Sequence, residues 1–280
     1  GATVYYADVT DVYVETYTPG APATVAFDGG QVPVEVLEEV FEYKVPEGGC
    51  ASWVDDFIAG LDHVVVEVDG MCKLTVDVEM VPHHGPIIPG TRADDGDGGM
   101  MALTWKWTGM DASDDIKAVY GLMKMKSPED FLAALESFGV GAQNWVYGDV
   151  DGRIAYSAYV RVPIREHLAF PPVEHPTFLP MPGDGCCEWI GDVPLDAMPH
   201  AVDPPEGFVI SANGDAWGYL LDGDPFNDPT YQGYLFETGY RAGRLQELFG
   251  ALQDSGAAID VAAMQAMQAA RTAHLSPACA

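Results

Sequence analysis

The chain has 280 residues, 48% of them hydrophobic, which is enough apolar material for one large core or two modest ones. Thirteen basic against 43 acidic side chains leave a net charge of −30. A surface that acidic repels nucleic acid and anionic membranes, and no run reaches the roughly 18 apolar residues of a membrane span.

From the start, "GATVYYADVTDVYVETYT" is rich in Val, Thr and Tyr and reads as strand, interrupted by its aspartates. "VPVEVLEEVFEYKV" and "DHVVVEVDGMCKLTVDVEMV" alternate well enough to predict antiparallel strands. "GTRADDGDGG" is a polar surface loop, and "MMALTWKWTGMD" a strand with aromatics on one face. Two helices follow. Ile116, Val119, Tyr120 and Met123 recur at helical spacing in the first. The second opens on Ser127 and Pro128, a hydroxyl cap before proline, and buries Phe131, Leu132 and Leu135. Residues 168–206 read as an ordered irregular crossing in which Phe170, Phe178, Trp189 and Ile190 need burial. "EGFVISAN" is predicted as a short buried strand. "GYRAGRLQELFGAL" is a helix with Leu245, Leu248, Phe249 and Leu252 inward, and "DVAAMQAMQAARTAH" is a last helix. Strands and helices in blocks predict an α+β class.

Five cysteines leave at least one without an internal partner. Cys50 and Cys72 flank a hairpin-like segment and are a candidate disulfide of an exported protein, whereas the adjacent Cys186 and Cys187 are not expected to bond each other. His83 and His84 have no His or Cys at a zinc-type spacing and read as a strand edge beside Gly85-Pro86.

Asp149, Asp151 and Gly152 lie between two hydrophobic runs. A calcium loop counted from Asp149 needs a glutamate at its twelfth position, and Val160 stands there. Asp-Gly instead predicts a tight hairpin turn with no catalytic role.

That hairpin, "QNWVYGDVDGRIAYSAYVRVPIR", resembles one in the penicillin acylase family of N-terminal-nucleophile hydrolases. Other stretches resemble the family in its own order: "ATVYYADVTDVYVE", "HHGPII" at 83–88, "PEGFVISAN" at 205–213 and "GYRAGRLQEL" at 239–248. The resemblance runs over nearly the whole chain, with weaker patches at 20–80 and 165–200. It implies an αββα sandwich, in part, with antiparallel sheets and flanking helices. On this expectation residues 1–280 form an internal part of the family's large chain, incomplete at both ends.

The resemblance also implies the chemistry. A terminal Ser, Cys or Thr attacks an amide, its own α-amine acting as base through water. Gly1 has no side chain to attack with, so the nucleophile is expected upstream. The matching supporting positions are Asn213 and Val4, whose side-chain amide and backbone N–H would hold the oxyanion, and Arg241, which would organise the polar network around the nucleophile. The bland alternatives are a turn-forming Asn and a surface Arg. "GDAWG" after Asn213 replaces the usual Asn and Pro. Some members hold a structural calcium, and Asp8, the carbonyl of Thr10, Asp11 and Asp224 match its ligands, with Asp222 and Asp228 competing for the last place. Trp105, Trp107 and Trp145 are candidate acyl-pocket walls or simply core aromatics.

The reading is therefore part of an amidohydrolase acting on a β-lactam side chain, an N-acyl homoserine lactone or a related acyl amide through an acyl-enzyme. Its expected partners are that small-molecule substrate, the α chain and the remainder of the β chain of the same precursor. The expected place is the periplasm or outside the cell. A catalytically dead acidic binding module on the same scaffold, or a purely structural calcium-dependent domain, are the alternatives.

Overall fold

The structure, a computed structural model, describes residues 1–52, 54, 61–96, 98–170 and 172–270. The chain divides into two compact units. One comprises Gly1–Asp8, Asp111–Ile164 and Gly191–Ala280, the other Val9–Met110 and Arg165–Ile190.

In the first unit a four-stranded sheet runs in the order Ala2–Val4, Gln143–Gly148, Ile154–Tyr159, His200–Val202, antiparallel throughout. The central hairpin turns where Asp-Gly predicts. Gly152 takes a φ of +84°, and Asp149 Oδ1 accepts from the N–H groups of Asp151 and Arg153 at 3.0 and 2.9 Å. The Pro128–Leu135 helix starts as expected, with Ser127 Oγ accepting from Asp130 N at 3.1 Å, and it buries Phe131 and Leu135. The Asp115–Lys124 helix also forms, but Ile116 and Met123 are 88% and 80% exposed. Its inward face is the small one: Ala118 is buried, and a Cβ on Gly121 would stand 2.8 Å from the Ala134 Cβ. Close approach of two helices through small residues, rather than the apolar stripe, decides which face is covered.

Helices Tyr240–Ser255 and Val261–Ala269 complete this unit. Leu245, Leu248, Phe249 and Leu252 are half-buried, the side the spacing predicts, and Phe249 stacks on Phe208 with ring centres 5.1 Å apart. The last helix was expected as far as residue 274, and 271–274 lie outside the described residues. "EGFVISAN" is not a sheet strand. It reaches the Ala2–Val4 strand through the hydroxyls of Ser211 and Thr3, and only Gly214 bridges, to Glu237. Among the described residues no strand pairs with the Ala2–Val4 edge on that side.

The second unit has two main sheets. Thr10–Thr18 pairs with Met100–Trp107, Thr24–Phe27 and, in parallel, Met181–Pro182. Met71–Val81 is flanked by Glu35–Lys44 and Asp62–Val68, and both pairings are antiparallel, as the alternation predicts. Leu74, Val76 and Val54 form the core against this second sheet, and Cys50 bonds Cys72 as expected. Contrary to expectation, Cys186 bonds Cys187. Cys187 is buried with Tyr13 and Met181 in the turn after Asp184, which brings the neighbouring sulfurs together. Phe170, Phe178 and Ile190 are exposed rather than buried. Only Trp189 of that group turns inward, to a buried carboxylate. Among the described residues no helix is long and apolar enough to cross a membrane.

Candidate functional site

The site in the first unit is built on a sheet edge. Tyr5 N donates to Ala142 O at 3.0 Å and Val146 N to Gly1 O at 2.8 Å. Residues 1, 3 and 5 therefore exchange ladder bonds, and the antiparallel alternation turns the N–H of Val4 away from Gln143–Gly148, to the free edge. Asn213 comes to this edge with a φ of +62°, a left-handed conformation that Asn tolerates better than most residues. Its Nδ2 donates to Val4 O at 2.5 Å, an oxygen that also accepts from Asn144 Nδ2 at 2.8 Å.

Arg241 fixes which way the Asn213 amide faces. It lies in the first turn of the Tyr240–Ser255 helix, after Gly239 at φ +87°. One guanidinium nitrogen reaches back to Ala212 O at 2.9 Å and to Asn213 Oδ1 at 2.7 Å. Arginine only donates, so the amide must offer it oxygen and turn its NH2 toward Val4. That NH2 carries two hydrogens, one of them on Val4 O. Deeper in the unit, burial pushes the Tyr5 phenol far above its usual range, so it stays protonated and donates to Gln232 Oε1. An apolar cleft of about 330 Å³, walled by Ala2, Val209, Ile210, Phe249 and Met267 among others, opens beside the same edge.

Asn213, 209 positions from Val4 and 28 from Arg241, is thus brought together with both. The candidate calcium ligands are divided between the units. In the first, Asp8 Oδ2 accepts from Tyr231 OH at 2.6 Å, and the exposed Asp224 uses Oδ1 for Phe226 N at 2.9 Å. Of its competitors, Asp222 is engaged by Asn227 and Asp224 N. Asp228 keeps a buried Oδ2 with no partner among the described residues, its carboxyl raised by burial and by the charges of Asp222, Asp215 and Asp224. In the second unit, Thr10 begins the strand and Asp11 is wholly enclosed. Its Oδ2 accepts from Arg165 Nε at 2.7 Å and Trp189 Nε1 at 2.5 Å, and its Oδ1 has no partner among the described residues. The open oxygens of Asp11 and Asp228 are hard donors of the kind calcium takes. Of the candidate pocket walls, Trp105 and Trp107 stack 5.8 Å apart in the second unit. Trp145 packs edge-on against Phe138 in the first.

Sequence reading missed a buried charged network in the second unit. His84, expected at a strand edge, is fully enclosed in the turn after Val81. Its Nδ1 meets Glu15 Oε1 at 2.7 Å and its Nε2 meets Glu188 Oε1 at 2.6 Å, while its ring stacks 3.7 Å from Tyr13. Thr104 donates to Glu15 at 2.6 Å and Lys106 to Glu188 at 3.2 Å. Burial works against charge on His84, but the hydrogen bonds to Glu15 and Glu188 prevail and raise its pKa. Gly183 leaves room for this carboxylate, because a Cβ there would stand 2.5 Å from Glu15 Oε2 and force it to shift. The one signal was the strand "DVYVET", whose enclosed positions Asp11, Tyr13 and Glu15 alternate with the valines.

Comparison with known proteins follows the same lines. The penicillin amidase family profile matches residues 1–278. The penicillin acylase 2 proenzyme of Pseudomonas sp. (strain SE83) is 32% identical over 131 residues, which are 46% of this chain and 16% of that protein. Penicillin G acylase of Escherichia coli is 33% identical over 70 residues, 25% of this chain and 8% of that protein. Among solved structures, thermostable penicillin G acylase from Alcaligenes faecalis superposes with a TM-score of 0.63 at 22% identity, covering 90% of this chain and 37% of that one. The chain thus spans well under half the length of each relative.

Proposed function

Because the chain belongs to the penicillin amidase family, we propose that it supplies the oxyanion-binding part of an amidohydrolase cleaving a linear amide C–N bond through an acyl-enzyme. The observation that carries the reading is the Asn213 amide, locked by Arg241 with its donors turned to the free edge at Val4.

In this reading a terminal nucleophile from the remainder of the same precursor attacks the substrate carbonyl, whose oxygen gains negative charge. The second N–H of Asn213 and the N–H of Val4 take that charge. Because both are held before the reaction, they need no reorganisation as it develops. Arg241 touches Asn213 rather than substrate and acts as a positioning residue. The substrate class is an acyl amide: a β-lactam side chain, an N-acyl homoserine lactone or a related compound. Periplasmic or secreted placement suits the Cys50–Cys72 bond. A structural calcium is part of the proposal on the strength of the family resemblance alone.

The test is Asn213→Ala in the longer protein that contains this chain, assayed on a chromogenic acyl amide. Loss of one oxyanion donor is expected to lower kcat by about 10²- to 10³-fold, with a smaller change in KM. An unchanged kcat sinks the oxyanion role, and a longer protein that never turns over favours the binding module. Product release by the 280-residue chain alone contradicts the division of labour.

A further inference from the structure

Two buried ligand-type atoms in the second unit, Glu15 Oε2 and His83 Nε2, have no hydrogen-bond partner among the described residues. An unsatisfied buried polar atom costs about 1–3 kcal/mol, so both call for an occupant. Glu15, His83 and His84 each present one ligand atom, and the three lie within 4.8 Å of one another. The geometry points to a binding site for a divalent transition-metal ion of the zinc class, held by Glu15, His83 and His84.

The donor set decides the ion. Two imidazoles and one carboxylate suit zinc, which takes three protein ligands and leaves a fourth position open; calcium wants six to eight oxygens. The surroundings already orient the ligands. Glu188 holds His84 Nε2, and Thr104 holds the other oxygen of Glu15. Phe27 packs on the His83 ring with centres 3.8 Å apart. A carboxylate on the far nitrogen of a ligating histidine is the usual outer support of a metal site. Loading exchanges a proton for the ion. His84 gives up the Nδ1 proton it shares with Glu15 and ligates through that nitrogen, keeps Nε2–H on Glu188, and one proton leaves for solvent as the ligands draw in to about 2.0–2.2 Å. No sequence spacing announces the site, since Glu15 lies 69 positions from His84. The site is independent of the amidase reading, and its test uses no activity.

The chain is stripped with a chelator and titrated with Zn2+ by calorimetry in the presence of excess calcium. One Zn2+ per chain is expected, with a rise in Tm. His83→Ala and Glu15→Gln should each weaken binding about tenfold or more and abolish the rise. His175→Ala, which touches the separate grouping of His175 with Cys186 and Cys187, should leave it unchanged. Should Glu15→Gln fail to fold, the half-buried His83 still carries the test. No stoichiometric uptake by the unaltered chain, or uptake that His83→Ala leaves intact, overturns the proposal.

Discussion

In the first unit Val4, Asn213 and Arg241 gather polar groups on an open sheet edge, where each keeps some contact with solvent. In the second, Asp11 with Arg165 and Glu15 with His84 are sealed, their side chains fully enclosed. The two arrangements use charge differently. On the open edge water screens an ion pair such as Arg241–Glu237, so the contacts orient an amide and add little stability. In the sealed cluster each charge depends on its partner, because removing one leaves the other desolvated. Function is thus expected to be sensitive in the first region and folding in the second.

Arg165→Ala should show the largest effect, since it strands the Asp11 carboxylate in the interior. A loss of about 3–5 kcal/mol in urea unfolding is expected, and a loss near zero breaks the claim that these charges hold one another. Reducing Cys50–Cys72, which joins residues 22 apart, should destabilise the same unit by about 3 kcal/mol through the released chain entropy. Selective loss of structure in that unit by hydrogen exchange would sharpen the contrast. Asn213→Ala, whose expected loss is in kcat, should lower stability by no more than about 1 kcal/mol. A loss as large as that of Arg165→Ala would make the open edge structural after all.

The smallest effect is a pH dependence at Asp115. Burial alone would raise its carboxyl, but Ser113 and the N–H groups of Val140 and Gly139, at 3.1 and 2.7 Å, outweigh it and lower the pKa. A depressed folded pKa stabilises above the unfolded value of about 3.9, and that contribution disappears as pH falls through the folded pKa. The stability gap between the parent and Asp115→Ala should therefore close on acidification below about pH 4. A gap that stays constant would assign the effect to packing.

Much of the first unit was legible because its signals are local. Ser127 before Pro128 capped a helix, and Asp-Gly at 151–152 turned a hairpin, since caps and turns are settled by a few neighbouring dihedrals. The meeting of Val4, Asn213 and Arg241 was reached through family order, not through spacing. The exposed stripe on Asp115–Lys124 was misleading because periodicity identifies a helix without saying which face is covered, and Gly121 against Ala134 decided that. Phe170, Phe178 and Ile190 misled in the same way: hydrophobicity favours burial, but the fold leaves these side chains exposed.

From the residues alone came the acidic surface, the α+β class, the Cys50–Cys72 pair and the hairpin turn at Asp149–Gly152, all set by composition or by contacts close along the chain. Only the tertiary structure decided that Glu15, His84, Thr104 and Glu188 share one enclosed cluster. It also turned the Asn213 amide by placing Arg241 on its oxygen. The physical reason is that burial and hydrogen-bond partnership depend on strand register and side-chain direction across long separations, and neither is encoded in any short stretch of sequence.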